Sequence, residues 1–168
     1  MNKRSFLAAA AAALTIFTTS SFASDPVLKA GMDAAYPPFG SQDRKTREYV
    51  GYDVDIIRAI AKHAGFKVVV RNLAFDGLIP ALKTGAIDIA INDIPTNDYY
   101  VAKAGKGYVK SLPVALSTED LGIAVKKGNT ELLNRINAGL TTIKKNGEFR
   151  RIYKKWFGHE PTSELLKD

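Results

Sequence analysis

The sequence predicts an α/β protein: a single three-layer α/β/α lobe with a mainly parallel sheet. Three observations predict it. Short apolar, β-branched runs alternate with stretches of helical period, in the order strand, helix, strand, helix, strand. Glycines stand where each helix should stop. A chain of 168 residues that is 46% hydrophobic and 24% charged has the composition of one ordinary globular domain.

Val27 to Met32 is the first strand candidate. It runs into Asp33-Ala-Ala-Tyr-Pro-Pro-Phe-Gly40, whose two prolines and glycine make a loop. Ser41 to Glu48 is polar and reads as an exposed hairpin tip, with Tyr49 to Tyr52 returning from it. Val54, Ile57, Ala61 and Ala64 then recur at helical spacing, with Asp53 as the expected N-cap and Gly65 as the stop. Lys67-Val-Val-Val-Arg71 reads as a buried strand. Asp76 opens a short helix closed by Gly85, and Ile87 to Ile91 forms the next strand.

Beyond Ile91 the pattern loosens. Pro95 to Ala104 has room for one short helix, broken by Gly105 and Gly107, and Val109 to Leu116 is weakly extended. Leu121 to Val125 is a clear strand, expected to join the sheet. Asn129 or Thr130 caps a helix with the stripe Leu132, Leu133, Ile136, Leu140 and Ile143. A last helix places Phe149, Ile152, Tyr153, Trp156 and Phe157 on one face and ends at Gly158. The tail from His159 to Asp168 reads as frayed.

The first 23 residues read as a secretory signal peptide rather than as fold. Lys3 and Arg4 precede an alanine-rich apolar run from Leu7 to Phe17, and Ser21-Phe-Ala23 supplies small residues before a break. That run is too short for a permanent membrane anchor. Removing 23 residues from 168 leaves 145, with 22 Lys+Arg against 17 Asp+Glu. The expected domain is 24–158, with 159–168 as a tail, and the protein is expected to be exported.

Several chemistries are disfavoured. With no cysteine there is no disulfide framework, no thiol nucleophile and no zinc-finger spacing. The two histidines, His63 and His159, are too few for a histidine-rich metal site. His63 reads as a solvated surface residue. There is no Gly-x-Ser-x-Gly elbow and no phosphate-cradling glycine motif, so neither a catalytic triad nor a nucleotide is expected. The basic pairs Lys126-Lys127, Lys144-Lys145, Arg150-Arg151 and Lys154-Lys155 read as solvated faces, not as a nucleic-acid patch.

The informative residues follow the strands. In open α/β sheets ligands bind beyond the carboxyl ends of strands. Asp33, Tyr36 and Phe39 follow the first strand, Phe75 and Asp76 the second, and Asn92 and Asp93 the third. Aromatic faces beside carboxylates suit a small cationic or amphoteric ligand. The same residues could equally pack over the sheet edge, with Asp76 merely capping its helix; composition does not choose.

The motifs do choose. Asp33-Ala-Ala-Tyr-Pro-Pro-Phe39, Gly51-Tyr-Asp-Val-Asp-Ile56, Phe75-Asp-Gly-Leu-Ile-Pro-Ala-Leu82, Gly122-Ile-Ala-Val-Lys-Lys-Gly-Asn129 and Ile152-Tyr-Lys-Lys-Trp-Phe-Gly158 stand in one order across nearly all of the expected mature chain. In them the chain resembles the amino-acid-binding proteins of bacterial ABC importers, which have the type II periplasmic binding fold. The resemblance implies a periplasmic solute-binding component for a polar or basic amino acid, with a membrane permease as partner, no cofactor and no catalysis. It implies that Asp33 favours a polar or basic side chain, that Tyr36 and Phe75 stack on it, that Phe39 shapes the wall and that Asp93 holds an ammonium.

The chain departs from that family in one respect. Members have two lobes, and this chain is too short for both. After Ile91 the family leads into a segment carrying an arginine that clamps the ligand carboxylate. Here Asn92 to Tyr100 resembles a late part of the second lobe instead. Both places share a Leu-x-x-Gly-x-x-Asp lead-in, present once as Leu82-Lys-Thr-Gly-Ala-Ile-Asp88. An internal deletion across the two stretches is implied, removing most of the second lobe and the arginine. Tyr100 then falls near the arginine's place and cannot make its bidentate pair. Losing one side of a buried charged pair costs about 2–5 kcal/mol, which moves micromolar binding toward millimolar. Two other readings stay open: a non-binding product, either a degenerate lobe or one that dimerises through the surface left behind, and a periplasmic dehydratase of the same fold.

Overall fold

The computed structural model describes residues 25–93, 109–111 and 121–167. The expected signal peptide, the short helix within 95–104 and Tyr100 lie outside the described residues.

Five strands form the main sheet: β1 (Val27–Met32), β4 (Lys67–Asn72), β5 (Ile89–Asp93), β6 (Val109–Ser111) and β7 (Leu121–Lys126), in the order β4-β1-β5-β7-β6. β4, β1 and β5 pair in parallel; β7 is antiparallel to both β5 and β6. Four of the five strands therefore run one way, and the sheet is mainly parallel as expected. A separate hairpin joins β2 (Ser41–Gln42) to β3 (Tyr49–Val50). Its tip is set by Asp43, whose Oδ1 accepts from the Lys45 and Thr46 backbone N–H groups at 2.9 and 2.8 Å. Those bonds hold the Asp43 carboxyl below its ordinary pKa.

The period-2 alternation of the strands sorts the core into two layers. Ala30 and Met32 of β1, Ile89 and Ile91 of β5, and Ile123 and Val125 of β7 face one side. There they meet α1 (Tyr52–Ala64), α3 (Thr130–Lys145) and α4 (Glu148–Phe157). Ala90 and Ala124 face the other side, under Leu78, Ile79 and Leu82 of α2 (Phe75–Thr84). Helices on both faces of one sheet make the three layers the sequence predicts.

The helix stops are where the glycines put them. Gly65, Gly85 and Gly158 each cap in the left-handed conformation, which costs glycine no Cβ clash. Asn129 is the N-cap of α3, its side chain accepting from the Leu132 N–H at 3.2 Å. Gly139 lets α3 lie against α1: a Cβ there would sit 2.7 Å from the Ile60 carbonyl oxygen. Arg135 of α3 closes the far end of α1, donating to the Ala64 and Gly65 carbonyls at 2.7 to 3.0 Å.

Three expectations need correction. Asp53 does not cap α1; Gly51 precedes the helix, and Asp53 is buried in its first turn. The helix's leading N–H groups are satisfied from a distance instead: Tyr52 donates to the Pro38 carbonyl at 2.9 Å and Asp53 to the Phe39 carbonyl at 3.0 Å. The run Lys67 to Arg71 is not buried throughout. β4 is the edge of the sheet, so Val70 is covered by α1 while Val69 is 40% exposed. The tail is not frayed: Pro161 is buried, and Leu165, within a 3₁₀ turn at Glu164–Leu166, is packed into the core.

His63 is exposed, as the sequence predicts, and it is also paired. Its Nε2 lies 2.8 Å from Glu148 Oε2, tying the end of α1 to the start of α4. This contact holds the Glu148 carboxyl below its ordinary value of 4.5. A carboxyl depressed on folding adds stability above its unfolded pKa, and that contribution fades as the pH falls through the folded value. Glu148→Gln should therefore flatten the loss of stability on acidification below about pH 4.5. Urea titrations at pH 6 and pH 3.5 would check it; equal acid sensitivity in both proteins would contradict the pair's role.

Candidate functional site

β4, β1 and β5 are parallel, so their carboxyl ends lie along one edge of the sheet. Asn72, Met32 and Asp93 are the last residues of the three strands. Extending the register of β1 and β5 sets Asn92 and Asp93 beside the start of the loop that follows Met32.

That loop, residues 33–40, is closed on itself. Tyr36 N–H donates to the Gly40 carbonyl at 3.0 Å and Gly40 N–H to the Tyr36 carbonyl at 2.9 Å. Within this closed loop the Tyr36 side chain is 59% exposed. Phe39 takes the opposite course. Its ring lies 6.4 Å from Tyr52 and 5.7 Å from Phe157, on the α1 and α4 side of the sheet.

The loop is fastened to the start of α2. Asp33 Oδ2 accepts from the Phe75 backbone N–H at 3.1 Å. Ala74, the residue before α2, has no side chain to cap with, so Asp33 supplies the cap across 42 residues of sequence. Phe75 is half-buried, its ring packed beside Leu78 and its neighbours. Asp76 is exposed in the same first turn.

The structure thus gathers Asp33, Tyr36, Phe75 and Asp76 at the ends of β1 and β4, with Asp93 ending the adjacent strand. Phe39 supports the loop from beneath. Sequence reasoning missed Asn72, whose Oδ1 accepts from the Ala34 N–H at 3.0 Å. An asparagine at a strand end is a turn residue by composition, and that was the available signal. Chemically, the rim offers carboxylates for a cation and an aromatic face to stack on it. His63 is paired with Glu148, away from the rim. Among the described residues no group of three or more potential metal ligands occurs, and no helix is long and apolar enough to cross a membrane.

In open α/β sheets the rim at the strand carboxyl ends is where ligands bind. Residues 28–159 match the family model of the bacterial extracellular solute-binding proteins, family 3. The chain belongs to that family. It is 24% identical over 247 residues to the L-arginine-binding protein of Pseudomonas aeruginosa, covering 89% of this chain and 95% of that one. Since 89% of 168 residues is about 150, some 97 of the 247 aligned positions face no residue here. The interior of this chain is therefore short relative to that protein, as the single Leu-x-x-Gly-x-x-Asp lead-in implies.

Solved structures agree in fold. An ancestral arginine-binding protein bound to arginine superposes with a TM-score of 0.60 at 23% identity, over 80% of this chain and 100% of that one. The arginine-bound form of domain 1 from TmArgBP superposes with a TM-score of 0.57 at 31% identity, over 69% of this chain and 92% of that one.

Proposed function

We propose that this chain is the periplasmic solute-binding component of an amino-acid ABC importer. On this reading it takes a basic amino acid at the rim of a single lobe and acts by binding, not catalysis. The observation that carries the reading is a family 3 chain in which Asp33, Tyr36 and Phe75 follow β1 and β4 at one edge of the sheet, Asp33 hydrogen-bonded to the start of α2.

The roles proposed come from the family resemblance, with the geometry of the described residues in support. Asp33 holds one carboxylate oxygen on α2 and presents its charge at the rim to a guanidinium or ammonium. Tyr36, being outward and rigidly based, stacks on the ligand's side chain. Phe75 lines the α2 side of the rim, Asp76 adds negative charge beside it, and Asp93 takes the α-ammonium. Phe39 shapes the wall by seating the loop. The arginine-bound single domain of TmArgBP supports the expectation that one lobe of this architecture suffices for binding. The N-terminal 23 residues would direct export and the permease would receive the ligand.

Alanine at Tyr36 or Phe75 should weaken arginine binding roughly threefold to thirtyfold, the range of a cation–π contact. Isothermal titration on each variant would show it. Unchanged affinity in both would remove this site from consideration.

A further inference from the structure

The loop bearing Asp33 and Tyr36 is held at the sheet edge by three hydrogen bonds from one short stretch. Leu73 N–H donates to the Met32 carbonyl at 3.0 Å, continuing the strand pairing by one step. Asn72 Oδ1 accepts from Ala34 N–H at 3.0 Å. Phe75 N–H donates to Asp33 Oδ2 at 3.1 Å. The first bond is sheet ladder, and the third uses the proposed ligand carboxylate itself. Apart from the proposed ligand carboxylate, Asn72 is therefore the side chain that fixes the start of the loop.

We infer that Asn72 is a positioning residue of the binding site, orienting the peptide between Asp33 and Ala34 so that Asp33 and Tyr36 meet the ligand together. This rests on the functional reading above. The Ala34 amide is that peptide's own N–H, so its hydrogen bond sets the plane from which the Asp33 side chain springs. Asn72 is solvent-exposed and belongs to the edge strand. Water can replace its acceptor when it is removed, so the fold should lose little, while the direction of the loop is lost. A binding loss larger than the stability loss is the signature of positioning.

The test compares the wild-type chain with Asn72→Ala and Asn72→Asp. Affinity for L-arginine and for L-glutamine is read by titration, unfolding by urea, and the Ala34 amide by hydrogen exchange. Asn72→Ala should weaken binding of whichever ligand the wild type holds by about fivefold, with faster Ala34 exchange and a nearly unchanged urea midpoint. Asn72→Asp keeps the acceptor and should restore the affinity. Restoration for arginine alone, where the wild type holds both ligands, would overturn the inference, since it would mark a direct charge effect. Unchanged affinity in Asn72→Ala, or unchanged Ala34 exchange, would also overturn it. Should the wild type bind neither ligand, the functional reading fails by itself. Accelerated Ala34 exchange in Asn72→Ala would then still support the clamp.

Discussion

Replacing Phe149 by alanine should remove about 3–5 kcal/mol of stability, the range for emptying a fully buried aromatic site. Phe149 is 0% exposed and stands in the first turn of α4. Its ring meets Tyr52 edge-on at 6.5 Å and stacks with Tyr153 at 6.4 Å. Tyr52 is itself fully buried, and burial pushes its phenol well above the ordinary range, so it stays neutral at any working pH. The cluster continues through Phe157, 4.6 Å from Tyr153, to Phe39 beneath the site loop. Losing Phe149 therefore unseats α4 from α1 and loosens the support of the loop. A urea titration would show the midpoint fall sharply. A change under about 1 kcal/mol would mean that α4 contributes little to the lobe's core.

The second large effect belongs to Gly51. It has φ 147° and ψ 171°, a region essentially restricted to glycine. A Cβ there would fall on the Phe39 carbonyl. That carbonyl, with that of Pro38, caps the N-terminus of α1. Gly51→Ala thus incurs backbone strain of about 1–3 kcal/mol and a comparable cost of overpacking. It also displaces the loop that carries Asp33 and Tyr36. The expected result is a loss of at least about 2 kcal/mol together with weaker ligand binding. A variant with wild-type stability would show that the loop is not pinned to α1 in this way.

Both predictions lean on contacts distant in sequence, and these mark the limit of what could be read from residues alone. The stripes of α3 and α4, the strand alternation and the glycine stops were legible because each is a local pattern with one physical cause. Asp53 was misjudged as a cap because a carboxylate before an apolar stripe usually is one; here backbone carbonyls of residues 38 and 39 do that work. Three consecutive valines suggested a buried strand, but burial depends on the neighbour in the sheet, and β4 has only β1. His63 and Glu148 are 85 residues apart, and no spacing rule joins them.

The site shows the same division. Asp33, Tyr36 and Phe75 were legible as residue types after strands. That the Asp33 carboxylate caps α2, that Phe39 turns inward and that Asn72 fastens the loop were not. Those facts depend on how two strand ends lie side by side, which the register of β1 and β4 decides.

The most direct test of the central claim is thermal unfolding of the chain alone and with millimolar amino acids of basic, acidic, polar and apolar type. A ligand that binds only the folded state raises the midpoint, by about 2.7 kcal/mol of stability at one hundred times its Kd. The account predicts one cooperative transition, shifted upward by arginine and its basic relatives and left in place by acidic amino acids. A cooperative transition that no amino acid moves would contradict it, leaving a folded family 3 lobe without the ligand proposed here.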